Sequence, residues 1–297
     1  MPVHDRRYRG FTGERRSPRG LFWTLARYGL AEVFSKRLLL VLFVIACLPV
    51  VIYATLIYLA NNLDVLALLG IQNADMNKLA TNLSGTLFFW FVVGQANLAF
   101  LFASFAGPSL VAPDLTHGAM PLYLSRPLTR CDYILGKLAI LGTLLSAITW
   151  VPGLLLVGLQ SALAGGGWLV EHARIPIGIL LGSLAWIVLL SLSALAISAW
   201  IRWRPLATGA LFVIFVLGGA FGTAINQTLD TRWGQLLMLT EQMRTIWFDL
   251  FGVGRIFGQM NDKGDLPVAA CWIAIAAFSA LAALLLHRRI RAHEVVS

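Results

Sequence analysis

Few polar side chains within the long apolar runs of this chain could bind a substrate, and none of them is charged. Three amides, Gln95, Asn97 and Asn226, lie within long runs of apolar residues. Such amides could line a path across a membrane, and a hydrogen bond between neighbouring helices is the alternative role. The same runs contain no Asp, Glu, Lys or Arg, and His287 is their single histidine. They therefore lack the paired acids, metal ligands or proton relay that intramembrane catalysis or proton coupling needs.

Nucleotide-binding and metal-binding motifs are also missing from the sequence. The glycines of 252–258 form GxGxxxG, which is one residue out of register for a dinucleotide loop and follows no predicted strand. The ATP-binding pattern Gly-x-x-x-x-Gly-Lys-Ser/Thr does not occur. Cys47, Cys131 and Cys271 have no disulfide or metal spacing. We therefore expect that the chain is not itself an enzyme and holds no metal, ATP or other cofactor.

Six stretches without Asp, Glu, Lys or Arg organise the chain. They cover 38–63, 79–113, 138–170, 175–201, 205–229 and 266–287, and they are 26, 35, 33, 27, 25 and 22 residues long. A helix of about 20 apolar residues crosses the bilayer core, where a charge costs roughly 2.5–3.5 kcal/mol. Hydrophobic residues make up 58% of the chain and charged residues 12%. The sequence predicts an all-α integral membrane protein whose six transmembrane helices lie within 37–290.

The distribution of charge predicts how these helices are oriented. The residues up to 37, the segments after the second and fourth stretches, and the C-terminal residues carry 17 of the 23 basic residues and 6 of the 14 acidic ones. Since cytoplasmic loops retain Lys and Arg, both termini are predicted to be cytoplasmic, with the chain in the cell inner membrane and 291–297 as a cytoplasmic tail. Topology and attraction to anionic membrane lipids account for the net charge of +9, so no nucleic-acid partner is expected.

Three smaller features lie around or between the predicted helices. Residues 1–20 are polar and rich in Arg, which is typical of a disordered basic leader. The apolar spacing over 21–36 predicts an interfacial amphipathic helix, with an extension of the first membrane helix as the alternative. The aromatic-rich segment 236–257 predicts an amphipathic element on the outside, lying in the interface or dipping partly into it. Glycine pairs four residues apart, at 178 and 182 and at 218 and 222, predict close helix packing.

The segment between the second and third charge-free stretches contains a sequence motif. It reads DLTHGAMPLYLSRPLTRCDYILGK from Asp114 to Lys137. The pattern is an acidic residue, Gly with a small residue, a Leu-rich turn, Ser-x-Pro, a basic residue, an aromatic residue and Gly-Lys. It resembles the same segment of ABC-2 type permeases, the membrane subunits of ABC transporters. The matching positions are Asp114, Gly118, Leu122, Leu124, Ser125, Pro127, Arg130, Tyr133, Gly136 and Lys137. Asp114 and Ala119 depart mildly from the usual Glu and Thr.

This resemblance implies a docking site for a partner. In the family the segment, here 111–124, forms a coupling helix that docks on a separate cytoplasmic ABC ATPase, which binds ATP and Mg²⁺. The residues implied in docking are Asp114, His117, Gly118, Leu122, Tyr123, Leu124, Arg126 and Arg130. Asp114 could cap the start of that helix, and Arg130 and Lys137 are expected to face lipid phosphates or acidic partner groups. An ordinary tight connection with a proline turn is the alternative.

The function implied by the resemblance is that of an exporting permease subunit. Such a subunit pairs with a second permease chain, identical or different, and its first, second and fifth membrane helices line the dimer interface. The nearly neutral membrane interior favours an apolar or lipid-like substrate. Force transmission to an envelope partner without transport and a stand-alone integral membrane enzyme are the alternative functions. A substrate-binding partner is a further possibility.

Overall fold

The computed structural model is helical throughout the parts of the chain that it describes, residues 21–62, 85–116, 129–165, 167–201, 203–253 and 266–289. Of these residues 91% are helical and none forms a strand, which confirms the all-α prediction for the described part. The helices are α1 (Leu21–Ser35), α2 (Arg37–Asn61), α3 (Gly85–Ala106), α4 (Pro108–Thr116), α5 (Arg130–Ile148), α6 (Trp150–Ala164), α7 (Trp168–Glu171), α8 (Arg174–Trp200), α9 (Arg204–Phe212), α10 (Gly218–Thr228), α11 (Leu239–Phe251) and α12 (Val268–Arg289). A π-helical turn, Val213–Leu217, joins α9 to α10, and a 3-10 helix, Trp233–Leu237, precedes α11.

Six helical segments are long and apolar enough to cross a membrane. They are span 1 (Arg37–Asn61), span 2 (Gly85–Asp114), span 3 (Arg130–Ala164), span 4 (Arg174–Trp200), span 5 (Arg204–Thr228) and span 6 (Val268–Arg289). Their number agrees with the prediction from the charge-free stretches. Span 3 ends before its stretch does because Gly165 has a φ of 95°, a conformation that favours glycine and stops the helix.

Spans 1 and 2 run in opposite directions, because Phe43 and Tyr53 of span 1 pack against Phe102 and Phe91 of span 2, in reverse order along the chain. Alternate spans run in the same direction. Asn61 at the end of span 1 donates a hydrogen bond to the side-chain oxygen of Gln160 near the end of span 3, over 2.9 Å. The backbone N–H of Ala112 at the end of span 2 donates to Ser198 Oγ near the end of span 4, over 3.0 Å. We call the end that contains α1 and the start of span 1 the basic end, and the opposite one the far end.

Span 4 forms the centre of the bundle. Trp186 in its middle is buried and donates its indole N–H to the carbonyl oxygen of Ala96 in span 2, over 3.0 Å. The same ring packs edge-on against Phe215 of span 5, with 5.8 Å between ring centroids. Spans 1 and 5 have far fewer buried residues than span 4. Their apolar side chains therefore face the surroundings of the chain, as expected for helices in lipid.

Helix α1 packs on the first turns of span 3. Leu25 lies against Gly136, and Gly29 lies against Ile140, four residues further along both helices. The two helices therefore run in the same direction over this contact. Helix α1 covers the predicted amphipathic helix 21–36 except for its last residue.

Candidate functional site

Three residues join span 2 to span 3 at the basic end. Lys137 Nζ lies 2.8 Å from Asp114 Oδ2, and the Tyr133 hydroxyl donates to the same oxygen over 2.7 Å. The Lys137 ammonium also lies 5.4 Å from the centroid of the Tyr133 ring. Only 8% of the Lys137 side chain and 17% of the Asp114 side chain are exposed, and Tyr133 is buried. We call this shielded, charge-neutral group the clasp.

The local structure of span 3 aims both donors at span 2. Thr129 and Asp132 form a capping box at the start of α5: Thr129 Oγ1 accepts the Asp132 N–H, and Asp132 Oδ2 accepts the Thr129 N–H, each over 3.1 Å. Capping of this kind defines the residue at which a helix starts. Tyr133 and Lys137 then lie one turn apart on the same face of the helix.

Span 4 and α1 pack against the two helices that the clasp joins. Ser198 of span 4 accepts the N–H of Ala112, two residues before Asp114. A Cβ at Gly107 would lie 2.5 Å from the Cβ of Ala194, so the backbones of spans 2 and 4 are very close there. Gly136, beside Lys137, is covered by α1. The clasp therefore lies within a close-packed group of four helices.

Two expectations about this region are wrong. Asp114 does not cap a helix start, because it lies inside α4 (Pro108–Thr116) and its carboxylate accepts from Tyr133 and Lys137. Lys137 does not face lipid phosphates or a partner, because its ammonium is buried against Asp114. The physical reason is that α4 continues span 2 past the turn at Gly107 and carries Asp114 to the level of the second turn of span 3.

Of the remaining predicted docking residues, one lies in the described part of the chain and the others lie outside it. Arg130 is the first residue of α5 and is exposed at the basic end. Residues 111–116 of the predicted coupling segment 111–124 belong to α4. The residues outside the described part of the chain are His117, Gly118, Leu122, Tyr123, Leu124 and Arg126.

The three amides predicted to line a path do not come together. Gln95 is fully buried and donates its amide N–H to the carbonyl oxygen of Ala46 in span 1, over 3.1 Å. Asn226 is buried near the far end of span 5, where its Oδ1 accepts the N–H of Gly234 over 2.8 Å. Asn97 is exposed and donates to the carbonyl oxygen four residues earlier in its own helix. Gln95 and Asn226 thus connect elements of the bundle, and Asn97 alone among the three is open to the surface.

Asn97 lies on the side of span 2 between spans 1 and 5. Phe91 packs edge-on against Tyr53 of span 1, with ring centroids 5.2 Å apart. Phe100 packs edge-on against Phe212 of span 5 at 5.1 Å. Because successive helix residues are about 100° apart, Asn97 lies in the sector between these two contacts, away from span 4. We call this sector the span 2 face.

The segment between spans 5 and 6 turns back into the bundle. A Cβ at Gly222 would lie 2.5 Å from the carbonyl oxygen of Gly234, and one at Gly218 would lie 2.8 Å from that of Leu237. The 3-10 helix therefore runs back along span 5. With a helical rise of 1.5 Å per residue, Leu237 lies about 15 Å from the end of span 5. We call residues 229–252 the far-end hairpin.

The second arm of the far-end hairpin, α11, returns along span 4. Trp247 lies over Gly182, and a Cβ at Gly178 would lie 3.3 Å from the ring of Phe251. Both glycine pairs noted in the sequence thus make room for the hairpin. Gln242 stabilises the turn between the arms by donating to the carbonyl oxygens of residues 235 and 236, over 3.1 and 2.6 Å.

Two charged residues of the hairpin pair with each other, and a third charge, on span 4, is bonded to the hairpin backbone. Arg244 forms an ion pair with Glu241 one turn earlier in α11. Arg174 at the start of span 4 donates to the carbonyl oxygen of Asp249 over 2.9 Å. Pairing lowers the cost of placing charges at membrane depth. The predicted amphipathic segment 236–257 is therefore a packed part of the bundle as far as residue 253, and 254–257 lie outside the described residues.

The sequence contained partial signals for both arrangements. Tyr133 and Lys137 are one helical turn apart, and Asp114 is the acidic residue that directly follows the second charge-free stretch, which together indicate a contact between the two segments. The glycine pairs indicated close packing, but their spacing does not say which segment fills the space. The missing information is the relative position of the spans.

The fold and the site define a six-span helical protein of the multi-pass membrane class. Comparisons with known proteins do not narrow that class further: no protein-family model matches this chain, and no curated protein matches it significantly.

Proposed function

We propose that this chain is the membrane subunit of an ATP-driven ABC-2 type transporter, which exports a substrate together with a separate cytoplasmic ATPase. ATP and Mg²⁺ bind to the ATPase and not to this chain. The chain lies in the cell inner membrane with the basic end and both termini in the cytoplasm, in agreement with the excess of Lys and Arg there. Helix α1 lies at the interface, where its exposed Trp23 and Tyr28 suit the headgroup region.

The composition of the clasp carries this proposal. Ten positions of the chain match the ABC-2 pattern. Four of them, Asp114, Tyr133, Gly136 and Lys137, meet at the junction of α1 with spans 2 and 3. An ordinary proline turn with basic anchors has no need for a buried acid, an aromatic residue and a lysine at these spacings. Their convergence supports a specialised connection between spans 2 and 3.

The connection suggests how force would enter the membrane. The segment 117–128 follows span 2 and precedes span 3, and the clasp ties those two helices together. Closure of the ATPases on ATP would push this segment and tilt spans 2, 3 and 4 with α1. The two permease chains would then alternate between inward-facing and outward-facing states.

The span 2 face supports a path shared with a second copy of the permease. Asn97 is exposed near the middle of span 2, where contact of an amide with lipid is unfavourable. A second chain, identical or different, would cover this face and enclose a path between the two halves. The described residues 38–61, 85–113 and 205–228 of spans 1, 2 and 5 include no charged residue, which favours an apolar or lipid-like substrate.

The first experiment is purification of the tagged full-length chain from its native host in mild detergent. We expect a soluble ATPase to copurify in equal amount and the complex to hydrolyse ATP. The control is an unrelated six-span protein with the same tag. A folded, dimeric chain that binds no ATPase under these conditions would overturn the proposed function.

A further inference from the structure

We propose that the ends of spans 4 and 6 form a binding site for one anionic phospholipid at the basic end of the bundle. Arg289, held against the ring of Trp200, binds the phosphate of the headgroup, and Arg288 and Arg204 add positive charge beside it. This inference assigns one defined site, which goes beyond the general attraction of a basic surface to anionic lipid. It does not depend on the ATPase.

Trp200 and Arg289 join the ends of the two spans. The guanidinium carbon of Arg289 lies over the Trp200 ring, 5.3 Å from its centroid. The Trp200 indole N–H donates to the carbonyl oxygen of Leu285, one turn before Arg289, over 3.4 Å. A guanidinium against the face of an aromatic ring keeps the N–H donors at its edge free for a pair of phosphate oxygens. The ring therefore positions Arg289 as an anion ligand.

This pair lies at the level expected for lipid headgroups. The charge-free stretches of the two spans end at residues 201 and 287, and Arg288 and Arg289 directly follow the second one. Trp200 is 53% exposed. Tryptophan and arginine at the ends of membrane helices typically place an apolar body at the edge of the hydrocarbon and a polar tip among the headgroups. A lipid phosphate can therefore reach this pair.

The positive charge here has no acidic partner in the described part of the chain. Spans 4, 5 and 6 contain no Asp or Glu, whereas Arg204, Arg288 and Arg289 are exposed. Arg204 follows Trp200 by four residues, so their Cα atoms are at most about 14 Å apart. The described acids at the basic end are held by Lys36, by the clasp and by the capping box of α5. The local excess of positive charge favours an anionic headgroup over a zwitterionic one.

An apolar stripe beside these arginines favours a lipid over a free anion. Leu281 and Leu285 precede Arg289 by eight and four residues, so the three lie along one side of span 6. Leu284 precedes Arg288 by four residues in the same way. All three leucines are exposed. The acyl chains of a lipid whose phosphate contacts Arg289 would cover this stripe, and a soluble anion would not.

The test measures binding of lipid to the purified full-length chain by native mass spectrometry. The probes are dioleoyl phosphatidylglycerol and dioleoyl phosphatidylcholine, which have the same acyl chains and differ in net charge. The wild-type chain should bind its first phosphatidylglycerol molecule at least about fivefold more tightly than its first phosphatidylcholine molecule. Arg289→Gln should weaken binding of that first phosphatidylglycerol molecule by about fivefold.

Two further variants separate a defined site from attraction to a basic surface. Trp200→Leu keeps the charge but removes the ring beside Arg289, and should weaken the first binding step by about threefold. Arg27→Gln removes an equal charge from an exposed position of α1 at the same end, and should change this step by less than about twofold. If Arg289→Gln does not fold, Arg289→Lys keeps the charge without the planar guanidinium and should weaken binding by about threefold.

Three outcomes would overturn the inference. Equal weakening by Arg289→Gln and Arg27→Gln would mean that lipid binding follows surface charge alone. Equal affinity of the wild-type chain for the two lipids would exclude selection of an anionic headgroup. Displacement of phosphatidylglycerol by an equal concentration of glycerophosphoglycerol, its headgroup without acyl chains, would make this a site for soluble anions. The proposed function is tested separately, because none of these measurements involves the ATPase.

Discussion

The indole ring of Trp247 lies directly over Gly182, at the point where α11 packs on span 4. Gly182 is eight residues from the start of span 4, which corresponds to a depth of about 12 Å. The same ring packs edge-on against Trp186, with centroids 5.9 Å apart. An aromatic residue of the far-end hairpin therefore reaches the core of the bundle. It can do so because Gly182 has no side chain, which leaves space for the ring.

Gly182→Ala should destabilise the fold, because the added methyl group would overlap with the Trp247 ring. Overpacking of this kind costs about 1–3 kcal/mol. The measurement is the free energy of unfolding in mixed detergent. The control is Gly158→Ala in span 3, where a Cβ meets no atom within 4 Å and the gain in helix propensity should leave stability equal or higher. Equal effects of the two changes would contradict the contact.

Asn226→Leu should destabilise the far-end hairpin, because the buried N–H of Gly234 would lose its acceptor. A buried donor left without a partner costs about 1–3 kcal/mol. The free energy of unfolding measures this effect. Asn226→Asp keeps an acceptor oxygen and should cost less. Asn97→Leu is the matched control, since Asn97 is exposed and bonds only within its own helix among the contacts described, and it should leave stability unchanged.

Replacement of Leu122 and Tyr123 by Glu should abolish binding of the proposed ATPase partner, because the docking surface that we propose from the sequence would gain two charges. Membrane insertion should be unaffected, since both residues precede span 3. Association should fall by at least about a hundredfold, measured by copurification with the tagged chain. Trp203→Glu changes an exposed aromatic residue at the same end of the bundle and should have no effect. Wild-type affinity in the double variant would place the docking site elsewhere.

Labelling of Cys131 should report the orientation of the chain. Cys131 is exposed at the basic end, Cys47 is exposed within span 1 and Cys271 is buried in span 6. Because the thiolate is the reactive form and needs water, a membrane-impermeant maleimide should react with Cys131 alone. The reaction should occur in inside-out vesicles and not on intact cells. Trp233→Cys at the far end is the opposite control, and reversed labelling of the two sites would invert the predicted topology.

The six spans could be predicted because the signal for them is local. Exclusion of charge from about 20 consecutive residues is a requirement of the lipid core on each segment by itself. The far-end hairpin does not meet that requirement. Glu241 and Arg244 made 236–257 too charged for a span, yet the pair they form allows the segment to enter the bundle. Whether a charged segment stays outside depends on its partners, which are not visible in its own sequence.

The sequence by itself determined the helical class, the number of spans and the segment that resembles ABC-2 permeases, since apolar length and motif spacing are properties of consecutive residues. Only the tertiary structure decided the roles of Asp114, Asn226 and Gly182. Their partners Lys137, Gly234 and Trp247 belong to other helices or to the returning arm of the hairpin. A polar or small residue in a membrane helix suits several roles equally well. The packing of the helices selects one by bringing a single donor, acceptor or ring within contact distance.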